Sequence, residues 1–394
     1  MFTHTVAHSQ ALDFFKSLFR VLSSLRLTVV CLGLAMVLIF FGTLAQVHLG
    51  IHAVQALYFQ SLFIFWSPPG ASWKIPVLPG GYLLGSVLLI NLVAAHASRF
   101  QFSRKKAGII LLHFGVMLLL VGQLLTGLMA QESQLRLDEG ETRAYSEAPR
   151  ETELAVIDVT NPDYDQVVAI PERFLTRAST IQQPTLPFTL KIRRFLPNSQ
   201  LVMRGQDSSA SSSEATNGVG VNIAVSEIQR TVKDDERDLV SVFVEVESME
   251  GALGTWLLAN AISDPQSFTC NGRTFELVVR QRRFYKQFAL TLLNFTHDRY
   301  AGTDIPKNFS SRVRLVDLER NENRDVLISM NDPLRYRGYT FYQSGFDNND
   351  TTSILQVVKN PAMIIPYVAC ALVALGLVTQ FSMHLFRFIR KRNA

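Results

Sequence analysis

The sequence predicts an integral membrane protein with four transmembrane helices and a large, mainly-β extracytoplasmic domain, a sandwich or open barrel. Three observations carry this. Of the 394 residues 48% are hydrophobic, and they are clumped: Leu27–Val47, Gly81–Ala97, Ala107–Leu128 and Ala362–Phe381 are nearly free of charge. A bilayer span needs about 20 such residues. Between the third and fourth segments the pattern switches to period two. TELAVIDV, FTLKIRRF, LVSVFVEVES, RTFELVVRQ, SRVRLVDL and TTSILQVVK alternate or are β-branched, with turn residues between them, as strands of a sandwich or barrel do. Lysine and arginine crowd the short flanks: Lys16, Arg20 and Arg26 before the first span, Arg99, Arg104, Lys105 and Lys106 between the second and third, and Arg387, Arg390, Lys391 and Arg392 after the fourth. The stretch His48–Gly80 holds only Lys74. By the positive-inside rule both termini are expected in the cytoplasm and the large domain outside.

Taken in order, residues 1–26 read as a cytoplasmic amphipathic lead, with Phe14, Phe15, Leu18, Phe19 and Leu22 at helical spacing. Residues 27–47 form a retained first span, too long and too poorly followed by small residues for a cleaved signal. Residues 48–80 are an outer loop rich in aromatics and proline, suited to the membrane interface or to an apolar ligand such as a porphyrin. His48 and His52 stand in it at i, i+4. The second span is 81–97, a basic cytoplasmic loop 98–106, the third span 107–129 and the extracytoplasmic domain 130–359. A fourth span covers 360–383, where Pro366 is expected to kink the helix. A basic tail, 384–394, closes the chain. Asp207–Gly218 is low-complexity and polar, expected to be a flexible loop.

Much chemistry is excluded. The net charge of +5 resides mostly in the membrane flanks, so no nucleic-acid partner is indicated. Cys31, Cys270 and Cys370 form no CxxC or CxxCH motif, which argues against a thiol oxidoreductase and against a c-type cytochrome. There is no GxSxG, HExxH or P-loop. His297, beside Asp298 and Arg299, reads as part of a structural loop.

The third span carries the sharpest signal. His113 is an ionisable residue inside an apolar run, and such a residue is a functional-site hypothesis. Gly108, Gly115 and Gly122 recur every seven residues on the opposite face, where small side chains let a neighbouring helix approach closely. Around His113 lie Ile109, Val116, Met117, Leu120 and Leu124, a greasy wall offering a nitrogen ligand. His96, near the end of the second span, is the second choice. Read from the residue alone, His113 is either such a ligand or a histidine bonded to a backbone carbonyl of another helix.

The ordered stretches SSLRLTVV…FGTLAQV, LLHFGVMLLLVGQLLTG followed by LRLDEGET, and PLRYRGYTFYQSGFD resemble the ResB/CcsB family of System II cytochrome c biogenesis, over nearly the whole chain. The resemblance implies a membrane subunit that pairs with a CcsA/ResC-type protein in the bacterial inner membrane. Together they move haem b outward and attach it to CxxCH of apocytochrome c, with a thiol-reducing pathway acting indirectly. The tryptophan-rich attachment segment of the CcsA type is missing among the three tryptophans here, so the resemblance is to the ResB half, a non-catalytic subunit of the haem-attaching complex. It implies His113 as an axial ligand of transient haem b shared with the partner. Arg99 and Lys105 would suit the haem propionates. Two other readings stand beside it: a bis-histidine b-type electron-transfer protein using His113 with His96 or His384, and a structural scaffold for the partner with no haem contact.

Overall fold

The computed structural model describes residues 15–68, 73–99, 106–176, 180–204, 214–231, 237–300, 302, 306–347 and 351–392. The chain divides into two compact units, one helical and built mainly from Met1–Gln131 and Lys359–Ala394, the other built from Glu132–Thr231 and Asp235–Val358.

Among the described residues the helical unit holds four helices long and apolar enough to cross a membrane: α1 (Leu25–Val54), α2 (Gly81–Arg99), α3 (Ala107–Met129) and α4 (Ile364–Arg392). Ser24 starts α1 by accepting a hydrogen bond from the Arg26 amide, satisfying one of the orphan donors of a first turn. The stretch read from sequence as a loop beginning at His48 is helical through Val54 and continues as a π-turn, Gln55–Phe59, before a small hairpin pairs Phe63–Trp66 with Ile75–Pro79. Gly50, at φ 73°, breaks the helix between His48 and His52, so their i, i+4 spacing does not place them on one helical face. Pro366 also differs from expectation. Because α4 begins at Ile364, the proline lies in its first turn, where its missing N–H would have had no helical partner and no kink is required.

Asn91 ties α2 to the start of α1. It is buried, accepts from the Thr28 hydroxyl (2.6 Å) and donates Nδ2 to the carbonyls of Leu22 (2.6 Å) and Ser24 (3.0 Å). In an apolar medium an unmet amide is costly, so a fully satisfied asparagine pins the pair. Asn91→Leu is expected to cost about 1 kcal/mol, read as an earlier midpoint in SDS unfolding of the full chain from mixed micelles.

The glycine face of α3 packs on α4. Gly108, Gly115 and Gly122 are buried. A Cβ on Gly108 would stand 2.7 Å from the Gln380 amide nitrogen, and one on Gly376 would stand 2.7 Å from that of Leu112 and 2.9 Å from the Gly108 carbonyl oxygen. Each glycine therefore admits the other helix's backbone, and the face opposite His113 is closed within the chain.

The second unit is mainly β. Its largest sheet has ten strands, eight on one path: β1 (Gln131–Asp138), β2 (Thr142–Asp158), β3 (Arg273–Arg299), β4 (Pro306–Asp317), β5 (Glu322–Ser329), β6 (Leu334–Tyr336), β7 (Tyr339–Asp347) and β8 (Thr352–Lys359). The order is β5-β4-β3-β2-β1-β8-β7-β6. Its ends approach one another, with β5 beside β6 and β7, so the sheet almost closes into a barrel. Period-two residues fill it: Leu135 and Leu137, Leu290 and Leu292, Val313 and Leu315, Leu355 and Val357, with Phe288 and Phe341.

β2 and β3 are 17 and 27 residues long, more than the barrel uses. Register shifts between Gln281 and Arg283 and between Tyr285 and Leu290 bend the pair. Beyond the bend, Leu154, Val156, Phe275, Leu277 and Val279 face a separate four-stranded sheet. That sheet contributes Leu190, Ile192, Val242, Val244, Val246 and Trp256 to a second core. The expected sandwich and the expected barrel are thus both present, sharing two long strands. His297, read as part of a loop, lies in β3 with its ring 4.2 Å from that of Phe346. Of the polar stretch expected to be a flexible loop, residues 207–213 lie outside the described residues. Cys270 is buried in the sandwich core, where burial pushes its thiol above the ordinary range.

Candidate functional site

α2 and α3 are consecutive helices, and the histidine of each lies near the end of its helix that adjoins the connection 100–106. His113 is six residues into α3, about 9 Å along the axis. His96 is three residues from the end of α2. The structure brings the two rings together, with centroids 4.9 Å apart and planes inclined at 59°. Sequence reading named both residues but made no statement of a contact between them. The greasy wall around His113 therefore presents two imidazoles.

Both rings are held in the same way. Nδ1 of His96 lies 2.9 Å from the Leu92 carbonyl oxygen, and Nδ1 of His113 lies 2.8 Å from that of Ile109. A carbonyl only accepts, so each Nδ1 carries the proton and each Nε2 keeps its lone pair. Metal-ligating histidines are oriented in this manner, one nitrogen donating to a carbonyl while the other binds. The carbonyl that His113 meets belongs to its own helix, one turn back, and not to another helix as the sequence alternative had it; this bond engages Nδ1 and leaves Nε2. Both residues are half-buried, so the pair is reachable.

Of the remaining sequence-named residues, Lys105 and the side chain of Arg99 lie outside the described residues. His384 is near the far end of α4, with Nε2 2.8 Å from Gln380 Nε2. His48 and His52 are exposed on α1. Among the described residues no cluster of three or more His, Cys, Asp or Glu has the arrangement of a metal site.

Sequence reading missed one constellation in the second unit. The stretch PLRYRGYTFYQSGFD folds as β6, a tight turn and β7, with Arg337 at φ 45° and Gly338 at φ 78°. Two residues with positive φ suit a two-residue hairpin turn, but the first here is an arginine, not a residue that favours this region. Its side chain reaches Asp317, which is fully buried: Arg337 Nε is 2.6 Å from Oδ2 and Nη2 donates to Oδ1 at 3.0 Å. The Tyr336 hydroxyl donates to Oδ2 at 2.8 Å and the Arg320 amide to Oδ1 at 3.1 Å. Burial alone would raise the Asp317 carboxyl, but the tyrosine, the backbone amides and the guanidinium outweigh it and hold it below the usual range. Tyr336 is pushed up to about 12, first by burial and then by bonds to the Glu322 and Asp317 carboxylates. Asp317 ends β4 and Tyr336 ends β6, so this network spans the seam where the barrel has no continuous ladder. The arginine–glycine pair was the available signal. Its carboxylate partner, 19 residues before Tyr336, had none.

Residues 259–354 match the family model of the ResB-like family. Protein NrfI of Wolinella succinogenes is 35% identical over 91 residues, which is 23% of this chain and 10% of that relative. The family match contains β3 through β7 and the whole Asp317 network; the histidine pair lies outside it. Residues 259–354 are thus similar to the ResB-like family, and the chain spans about a tenth of the length of the curated relative it matches.

Proposed function

We propose that this chain is a haem-handling subunit in cytochrome c biogenesis, acting in a bacterial inner membrane with a CcsA/ResC-type partner. In this reading haem b is cargo. His113 binds its iron through Nε2, the partner supplies the opposite ligand, and Arg99 and Lys105 meet the propionates. The β unit lies on the periplasmic side, braces the partner and presents apocytochrome c. The observation that carries the haem reading is the pinned His113 ring, whose Nδ1 is engaged by Ile109 and whose Nε2 is left for a metal. The similarity of residues 259–354 to the ResB-like family supports the biogenesis role.

The electron-transfer alternative that pairs His113 with His96 fits less well. With an imidazole nitrogen about 2 Å from the metal, a ring centroid lies roughly 3 Å away and two rings in trans stand roughly 6 Å apart. His96 and His113 are 4.9 Å apart, too close to flank one haem from opposite faces.

The test is co-purification of the full chain with its partner, as wild type and as His113→Gly, with haem staining and cytochrome c yield. The variant is expected to lose at least about tenfold of its haem, with imidazole restoring maturation by filling the ligand position. Normal haem content and normal maturation in the variant would reduce the chain to a scaffold.

A further inference from the structure

We infer that His96 and His113 together form a chelating site for a divalent first-row transition ion, bound in cis through both Nε2 atoms. The separation that excludes a trans pair fits a cis one. Two imidazoles at a tetrahedral or slightly smaller angle, each with its centroid roughly 3 Å from the metal, place those centroids roughly 5 Å apart. The observed distance is 4.9 Å, with planes inclined at 59°. Each ring already has the outer contact that fixes the ligating tautomer, Nδ1–H to the carbonyl one turn back. The two histidines come from different helices whose mutual packing sets the bite. That packing is buttressed from behind by the glycine face of α3 on α4.

Imidazole suits Zn²⁺, Cu²⁺ and Ni²⁺. No third protein ligand joins the pair among the described residues, so water completes the coordination and the site is exchangeable. Both histidines lie near helix ends, within reach of the aqueous phase. One consequence rests on the haem reading of the preceding section. An ion chelated here occupies Nε2 of His113, so ion and haem compete for that atom, and a rise in the ion slows haem loading.

The experiment uses the full chain without a polyhistidine tag, in nanodiscs of zwitterionic lipid, with Cu²⁺ as the probe. Pulsed EPR counts coordinated imidazoles. Wild type is expected to show two. His96→Gln and His113→Gln are each expected to show one and to bind at least about tenfold more weakly, while His48→Gln and His52→Gln leave the signal unchanged. A one-imidazole wild-type spectrum, or unaltered binding by the His96→Gln/His113→Gln double variant, would overturn the site. A second measurement needs no variant. Saturating Cu²⁺ should protect both His96 and His113 of the wild type from diethyl pyrocarbonate, read by mass spectrometry, and undiminished modification would overturn the site equally. The two readings fail separately. Haem lost from His113→Gly with no two-imidazole copper signal removes the ion site alone. A two-imidazole signal with haem retained in His113→Gly removes the haem reading alone.

Discussion

Placing one methyl group on each side of the α3–α4 contact, as Gly108→Ala with Gly376→Ala, is expected to force the two helices apart. At both positions the new Cβ would stand 2.7 Å from a backbone nitrogen of the other helix, Gln380 or Leu112. Backbone cannot rotate away as a side-chain tip can. The helices must separate along their length, and overpacking of this kind costs typically about 1–3 kcal/mol at each position. Intrinsic helix propensity pushes the other way, since alanine is better than glycine by about 1 kcal/mol. The control exposes that difference. A Cβ added to Gly33 in α1 or to Gly85 in α2 would meet nothing within 4 Å, so Gly33→Ala and Gly85→Ala should be neutral or mildly stabilising. Thermal unfolding of the double variant and the two controls in one detergent checks the contrast; similar midpoints for all would refute the account of the glycine face. Because α3 carries His113 on its other side, the double variant should also disturb the His96–His113 contact and weaken copper binding at that pair.

Asp317→Asn is expected to be the most damaging polar substitution in the β unit. It keeps the shape but removes the charge that Arg337, Tyr336 and the Arg320 amide are arranged around. The arginine would then be left in a left-handed turn with its buried carboxylate partner gone and the exposed Glu319 carboxylate remaining, and the seam between β4–β5 and β6–β7 would lose its closure. A buried pair broken on one side costs more than the pair is worth when intact. The expected readout is a lower unfolding midpoint for the β unit, together with faster proteolysis at the seam.

The pH dependence follows from the same groups. Asp317 has a folded pKa below its unfolded one, so its contribution is present above about pH 4, the unfolded carboxylate range, and is lost as pH falls through the folded value. Asp158 is lowered likewise, first by the Thr160 hydroxyl, against burial, and also by Arg273, and adds to the acid side. Tyr336 is raised to about 12. Its contribution is therefore complete below about pH 10 and is lost as pH climbs through 12. Wild type should lose midpoint stability at both extremes, and Asp317→Asn should flatten the acid limb. An acid limb of unchanged steepness in the variant would show that other carboxylates control it.

The glycine stripe of α3 was legible because periodicity is a sequence property and its packing on another helix follows from small residues alone. His113 was legible because one imidazole in a charge-free run stands out. The contact with His96 was not, since it depends on how α2 and α3 cross, which neither helix encodes separately. The alternating strands announced a β unit, but not that β2 and β3 run through two cores. That depends on bulges between Gln281 and Leu290 that interrupt pairing without interrupting alternation. Asp317 stood within the alternating stretch SRVRLVDL with nothing to single it out; only barrel closure brings it to Tyr336 and Arg337. Gly50 and Pro366 were both present in the sequence, yet their effects turned on where α1 ends and α4 begins, the least determined feature of a long apolar helix.

The most direct test of the haem reading is low-temperature EPR of ferric haem in a complex of this chain with the proposed CcsA/ResC-type partner, comparing wild type with His113→Met. If Nε2 of His113 binds the iron, the low-spin signal of wild type should shift to that of histidine–methionine ligation or give way to a high-spin one. A spectrum that is the same in both would contradict the account and assign the haem to other ligands.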